Sequence, residues 1–184
     1  MNISEYLSAL KEALGQIDLE ALGKVCASIQ QVKARGGIIY LLGNGGSQAN
    51  ASHLALHLIE RGIRARDVMA ETAWLSASAN DYSYESSAAR LLVLTGQPGD
   101  ALLVFSCSGN SPNVLNALQD AKRKGMTTLG LLGFGGGFAL QFCDYAVVLG
   151  QHSYPIVEDL HSVMLHILAE SLKQGIVPAK QVEG

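Results

Sequence analysis

One recurring unit restricts this chain more than any other feature: a short apolar run, then a loop rich in Gly, Ser and Asn, then a stretch of helical periodicity. Such runs occur at Ile38–Leu42, Ala101–Phe105, Thr128–Leu132 and Tyr145–Leu149, and Arg66 and Asp67 interrupt a fifth at Ala65–Ala70. A run that is apolar at every position, not at every second one, suits a strand buried on both faces. Strands separated by helices pair in parallel. The expectation is an α/β fold with a five-stranded parallel sheet flanked by helices.

Two helices precede this pattern. Leu7, Leu10 and Leu14 share one face, and after a break at Gly15, Leu22, Cys26 and Ile29 share another. The sequence divides into N-terminal helices over residues 1–34, suited to packing against a partner subunit, and an α/β core over residues 35–175. With 184 residues, 48% of them hydrophobic, the chain fills one core and is short for two, so residues 1–184 read as a single domain. The tail from Gly175 to Gly184 is polar enough to fray.

Composition removes several function classes. Thirteen Lys and Arg against sixteen Asp and Glu, without a basic run, leave no phosphate-backbone footprint, so a direct nucleic-acid partner is not expected. Cys26, Cys107 and Cys143 are odd in number and form no Cys-x-x-Cys pair, which argues for a reducing compartment and against a thiolate zinc site. No run reaches the ~18 apolar residues of a membrane span, and the first segment lacks the pattern of a signal peptide. The expected location is the cytoplasm.

Open α/β sheets bind ligands at the carboxyl ends of their strands. Two polar loops fall there. Gly43-Asn44-Gly45-Gly46-Ser47 leads into a helix carrying His53, and Ser106-Cys107-Ser108-Gly109-Asn110-Ser111 leads into one that has Pro112 at its first position and Lys122, Arg123 and Lys124 at its end. Hydroxyls beside free N–H groups at a helix start make an anion site, and glycines let a ligand approach the backbone. A serine loop by itself is more often a turn and a cap; two such loops together favour phosphate. Neither has the spacing of a dinucleotide fingerprint or a P-loop.

His53 and His57 lie four apart on one helical face, and Glu158, Ser162 and His166 follow one another at the same step. Two such stripes turned toward one pocket would supply a His/His/Glu/His set suited to zinc, although spacing alone does not establish it. His161 falls off the Glu158/His166 stripe and reads as a residue behind the site or at an interface. His152 sits in a loop with no assigned role.

The succession Gly43-Asn44-Gly45-Gly46-Ser47, Asn80-Asp81-Tyr82, Gly96-Gln97-Pro98-Gly99-Asp100 and Ser106-x-Ser108-Gly109-Asn110-Ser111 resembles the motifs of phosphoheptose isomerases, members of the sugar isomerase (SIS) domain family. The similarity continues through Gly125-Met126 to the final helix. The resemblance implies a SIS-type three-layer sandwich, a homotetramer, and sedoheptulose 7-phosphate or another sugar phosphate as ligand. It implies that Ser47, Ser106, Ser108 and Ser111 hold phosphate, with Asn44, Gly45, Gly46 and Cys107 in the same pocket and Asn44 and Asp81 touching the sugar. Cys107 stands where that family usually has Thr.

The same resemblance assigns the metal-binding and catalytic positions to His53, His57, Glu158 and His166. Here it departs from the family: His57 replaces the glutamate thought to be the general base, and Glu158 replaces a glutamine. Zinc or a similar divalent metal bound by these four residues is the expectation that follows. Moving a proton between adjacent carbons needs a base, and the carbonyl needs an acid or a metal. Glu158 with His166 as acid partner, or His57 if no metal holds it, are the candidates. The leading reading is an aldose/ketose phosphate isomerase. The alternatives are a non-catalytic SIS module that binds a sugar phosphate or a protein partner, as in the member associated with the bacterial replication initiator, and a lyase or epimerase using the same pocket.

Overall fold

The computed structural model describes residues 1–173; the tail from Gly175 and the end of the core boundary lie outside the described residues. Helix α1 (Ile3–Leu14) begins with a capping box in which Asn2 and Glu5 each accept the other's backbone N–H, at 3.0 and 2.8 Å. Asp18 caps α2 (Leu19–Ala34) by accepting from the Ala21 N–H. The remaining elements run β1 (Ile39–Leu42), α3 (Gly45–Glu60), β2 (Ala65–Asp67), α4 (Thr72–Asp81), α5 (Tyr84–Thr95), β3 (Ala101–Ser106), α6 (Pro112–Arg123), β4 (Thr127–Leu132), a 3-10 stretch (Phe134–Phe142), β5 (Tyr145–Val148) and α7 (Tyr154–Ser171).

All five strands are parallel, in the order β2-β1-β3-β4-β5, with Ile39 opposite both Ala65 and Ala101. Residues alternate between two cores, as the pleat requires. Ile39, Leu41, Leu103 and Phe105 point into a core filled by α2, α3 and α7, while Tyr40, Leu42, Leu102 and Val104 point into a second filled by α5 and α6. With both faces covered, β1 and β3 are buried throughout. That burial is why their sequences are unbroken apolar runs. The three layers and the five parallel strands match the sequence-based expectation.

The N-terminal helices do not behave as a pair. Leu22, Val25, Ile29 and Val32 of α2 are spent inside the subunit, so the Leu22/Ile29 stripe is part of the first core and not a face left for a partner. Helix α1 lies on α7, where the Tyr6 hydroxyl donates to Asp159 Oδ2 at 2.6 Å. Its Ile3, Leu7 and Leu14 remain exposed.

The chain leaves β1 for β2 on one side of the sheet and returns to place β3 on the other. The carboxyl ends of β1 and β3 therefore flank the point where strand order reverses, the usual place for a ligand in such a sheet.

Candidate active site

Both polar loops meet at that point. A cavity of about 290 Å³ is lined by Asn44, Gly45, Gly46 and Ser47 after β1, by Phe105 and Ser106 at the end of β3 and Cys107, Ser108 and Ser111 beyond it, and by Tyr154 and Glu158 from α7. Glycine at 43 is required by closeness: a Cβ there would come within 2.5 Å of the Ser47 carbonyl carbon and 2.7 Å of the Gln48 nitrogen. The Gly43 N–H donates to Gln48 Oε1 at 3.0 Å, and the Gln48 amide and the Ser52 hydroxyl both donate to Asp67, which fastens the loop to the end of β2.

The serine loop is held from the other side. Gly109 N–H donates to Ser106 Oγ at 3.0 Å, while Asn110 Oδ1 accepts from Phe138 N–H at 2.9 Å and the Gly109 carbonyl from Ala139 N–H at 2.9 Å. Ser111 occupies the N-cap of α6 and Pro112 its first turn, as the sequence predicts, yet the Ser111 hydroxyl makes no capping bond. That hydroxyl is left to the cavity. Two helix N-termini, those of α3 and α6, thus bring dipoles and hydroxyls to one pocket.

Cys107 keeps its place in the wall, its Sγ 3.5 Å from Ser47 Oγ. Burial, followed by the charge of Glu158, pushes its thiol above the usual range, while the Ser47 contact opposes this. The side chain remains a neutral thiol at neutral pH. Glu158 lies over the first turn of α3, where a Cβ on Gly46 would come within 2.5 Å of its carboxyl carbon. Its backbone carbonyl accepts from Asn50 Nδ2 at 2.9 Å, fixing α7 against α3.

The structure divides the four residues expected to share a metal. His53, His57 and His166 come together, their ring centroids 4.7, 4.9 and 5.5 Å apart and one nitrogen from each within 4.8 Å of the others. Glu158 is not in that group; its carboxylate is turned to Gly46 and the serine cavity. Burial, and then the neighbouring His57 and His166, push the His53 imidazole below its ordinary value, which favours its neutral ring with a lone pair available. Among the described residues, His57 Nε2 is buried without a hydrogen-bond partner. An unpaired imidazole nitrogen beside two other imidazoles fits a divalent ion such as zinc, which accepts three histidines and keeps an open position.

Two further expectations change. Asp81 stands exposed at the end of α4, accepting from Asn80 Nδ2, and does not line the cavity. His161 is not at an exposed face: it is fully buried behind the cavity wall, edge-on to the cavity-lining Phe105 at 5.6 Å, with both ring nitrogens unpartnered among the described residues. Three residues beyond Glu158 on a helix, it has rotated into the core. His152 stacks on Phe134 at 5.2 Å and has no contact with the histidine cluster.

Sequence reasoning missed Tyr154, Phe105, Asn113 and Tyr84. Tyr154 lies four residues before Glu158, one more step on the stripe already noticed. Asn44 exchanges amide hydrogen bonds with Asn113 at 2.8 and 2.9 Å, and its Oδ1 also accepts from the Tyr84 hydroxyl at 2.7 Å, which orients Asn44. Nothing in the local sequence signals that three-residue contact.

Residues 3–133 match the family model described as the SIS domain. The chain belongs to the SIS domain family. Within that family it is similar to phosphoheptose isomerases: it is 33% identical over 186 residues to the one from Synechocystis sp., covering 98% of this chain and 96% of the relative. It is 37% identical over 174 residues to the one from Chlorobaculum parvum, covering 90% and 83%. Among solved structures the SIS fold recurs in phosphoheptose isomerase GmhA from Neisseria gonorrhoeae, with a TM-score of 0.88, 24% identity, and 94% of this chain and all of that one covered. It recurs also in the NanR protein of Vibrio vulnificus complexed with ManNAc-6P, with a TM-score of 0.70, 18% identity, and coverage of 91% of this chain and 59% of that one.

Proposed function

We propose that this SIS protein is a phosphosugar isomerase of the phosphoheptose isomerase type, interconverting an aldose and a ketose phosphate. The observation that carries the reading is one cavity in which an anion site and a carboxylate face each other. Ser106, Ser108 and Ser111 with the N-termini of α3 and α6 receive the phosphate, and Glu158 stands across the pocket from the serine loop. Relatives named phosphoheptose isomerase, similar over most of their length, support the same substrate class.

In this reading Glu158 is the base. It takes the proton from the carbon next to the carbonyl and returns it to the adjacent carbon, while the electron pair moves through an enediol between the two. Asn44, oriented by Tyr84 and Asn113, hydrogen-bonds the sugar, and Tyr154 closes the side of the cavity. His53, His57 and His166 would hold the divalent metal, which when bound polarises the sugar carbonyl. Where no metal engages it, His166 would be the acid partner that exchanges a proton with the substrate oxygens. Moving the carboxylate to position 158 restores a base to a site that has histidine at 57. A binding-only module would give that carboxylate no task.

A homotetramer in the cytoplasm completes the proposal. The exposed Ile3, Leu7 and Leu14 of α1, with Leu56 and Ile59 of α3, supply an apolar surface for subunit contact, and Cys26, Cys107 and Cys143 are free thiols. Among the described residues no helix is long and apolar enough to cross a membrane. The test is turnover of sedoheptulose 7-phosphate and of other ketose and aldose phosphates, followed by phosphorus NMR with zinc supplied. Interconversion of at least one pair is expected. Tight binding with no interconversion of any would overturn the isomerase reading.

A further inference from the structure

Metal-ligating histidines depend on what holds their second nitrogen. His57 sits in the last turn of α3, and its Nδ1 lies 3.2 Å from Glu60 Oε2, three residues further along the same helix. Its other nitrogen, Nε2, is the buried atom without a partner, next to the rings of His53 and His166. Arg61 steadies this corner. Its guanidinium is buried, donates to the His57 carbonyl at 2.8 Å and to the Ala169 carbonyl, and reaches Glu60 Oε2 at 3.6 Å and Glu170 Oε1 at 3.6 Å.

Building on the metal reading above, we infer that Glu60 is a positioning residue for His57. Its carboxylate accepts the Nδ1–H and thereby selects the tautomer whose Nε2 lone pair faces the other two imidazoles. The ligand set at the ion is then three neutral rings, with the compensating negative charge one bond network behind it. A carboxylate so placed orients the ring and raises its basicity without occupying a coordination position. Glu158 is left free for substrate in the neighbouring cavity.

The experiment is a cobalt(II) titration of the full chain, read by the visible absorption of the bound ion, with zinc affinity obtained by competition. Four proteins are compared: wild type, Glu60→Ala, Glu60→Gln and Glu170→Ala. Glu60→Ala should bind cobalt about 10- to 100-fold more weakly than wild type, with a changed absorption band, the range typical of losing such a partner. Glu60→Gln, whose amide oxygen still accepts from Nδ1–H, should recover part of that loss. Glu170→Ala removes an equal charge that contacts Arg61 but not His57 and should bind within about twofold of wild type if orientation, not bulk charge, is responsible. Equal affinity and an unchanged band in Glu60→Ala, or the same loss in Glu170→Ala, overturns the role of Glu60 while leaving the metal site standing. Wild type that takes up no cobalt or zinc overturns the metal reading and this inference together.

Discussion

The carboxyl group of Glu158 lies so close over the backbone of Gly46 that one methyl group at position 46 would come within 2.5 Å of its carboxyl carbon. A site that brings a base up against the first turn of a helix can be disturbed there without touching the base itself. Gly46→Ala should leave the fold intact, and even add about 0.5 to 1 kcal/mol of stability, because alanine is the better helix former. The same methyl pushes the carboxylate out of place. Turnover should fall at least about tenfold while the melting temperature holds or rises, measured by kinetics and thermal unfolding on one sample.

The phosphate assignment rests on hydroxyls that the local structure does not consume. Among the described residues the Ser108 hydroxyl accepts only from the Asn110 N–H, at 3.2 Å, and Ser111 makes no capping bond. Ser108→Ala with Ser111→Ala should weaken sugar-phosphate binding by about 1 to 3 kcal/mol, the range for losing hydrogen bonds to a charged group. Calorimetric titration checks it, with cobalt uptake at the histidine cluster expected to be unchanged. Undiminished affinity would remove the serine loop from the phosphate site.

Much of this was legible in the sequence because it follows from periodicity. The unbroken apolar runs at Ile38–Leu42 and Ala101–Phe105 are what two-sided burial demands, and β1 and β3 lie there. Ser111-Pro112 marks the start of α6 for the same local reason. What failed were the relations between helices. The four-residue steps that join His53 to His57 and Glu158 to His166 are equally compatible with one shared site or two adjacent ones, and only the packing of α3 on α7 separates Glu158 from the three histidines. Asp81 was misplaced because its neighbourhood is set by where α4 lands on the second core, a contact that no spacing in the chain records.

His161 gives a test of stability. Burial pushes its imidazole down to about 3, and neither nitrogen has a partner in the core. A histidine whose folded value lies below its unfolded one of about 6.5 binds more protons when unfolded, so its neutral burial contributes stability above pH 6.5 that is lost as the pH falls toward 3. Between pH 6.5 and 5 that loss is about 2 kcal/mol. His161→Leu should flatten this part of the profile and raise stability at pH 5 more than at pH 7. Urea midpoints at the two pH values measure it, and parallel pH profiles for the two proteins would contradict it.

The central claim is that Glu158 moves the substrate proton, and solvent isotope exchange tests it most directly. In deuterium oxide with sedoheptulose 7-phosphate, or whichever sugar phosphate turns over best, wild type should place deuterium on the carbon next to the carbonyl. Glu158→Gln should slow that exchange by about 10² to 10⁴, the usual worth of a positioned base, with sugar-phosphate affinity and cobalt uptake preserved because Glu158 stands apart from the three histidines. Exchange at the wild-type rate in Glu158→Gln, or no exchange by wild type that binds the sugar phosphate, would contradict it.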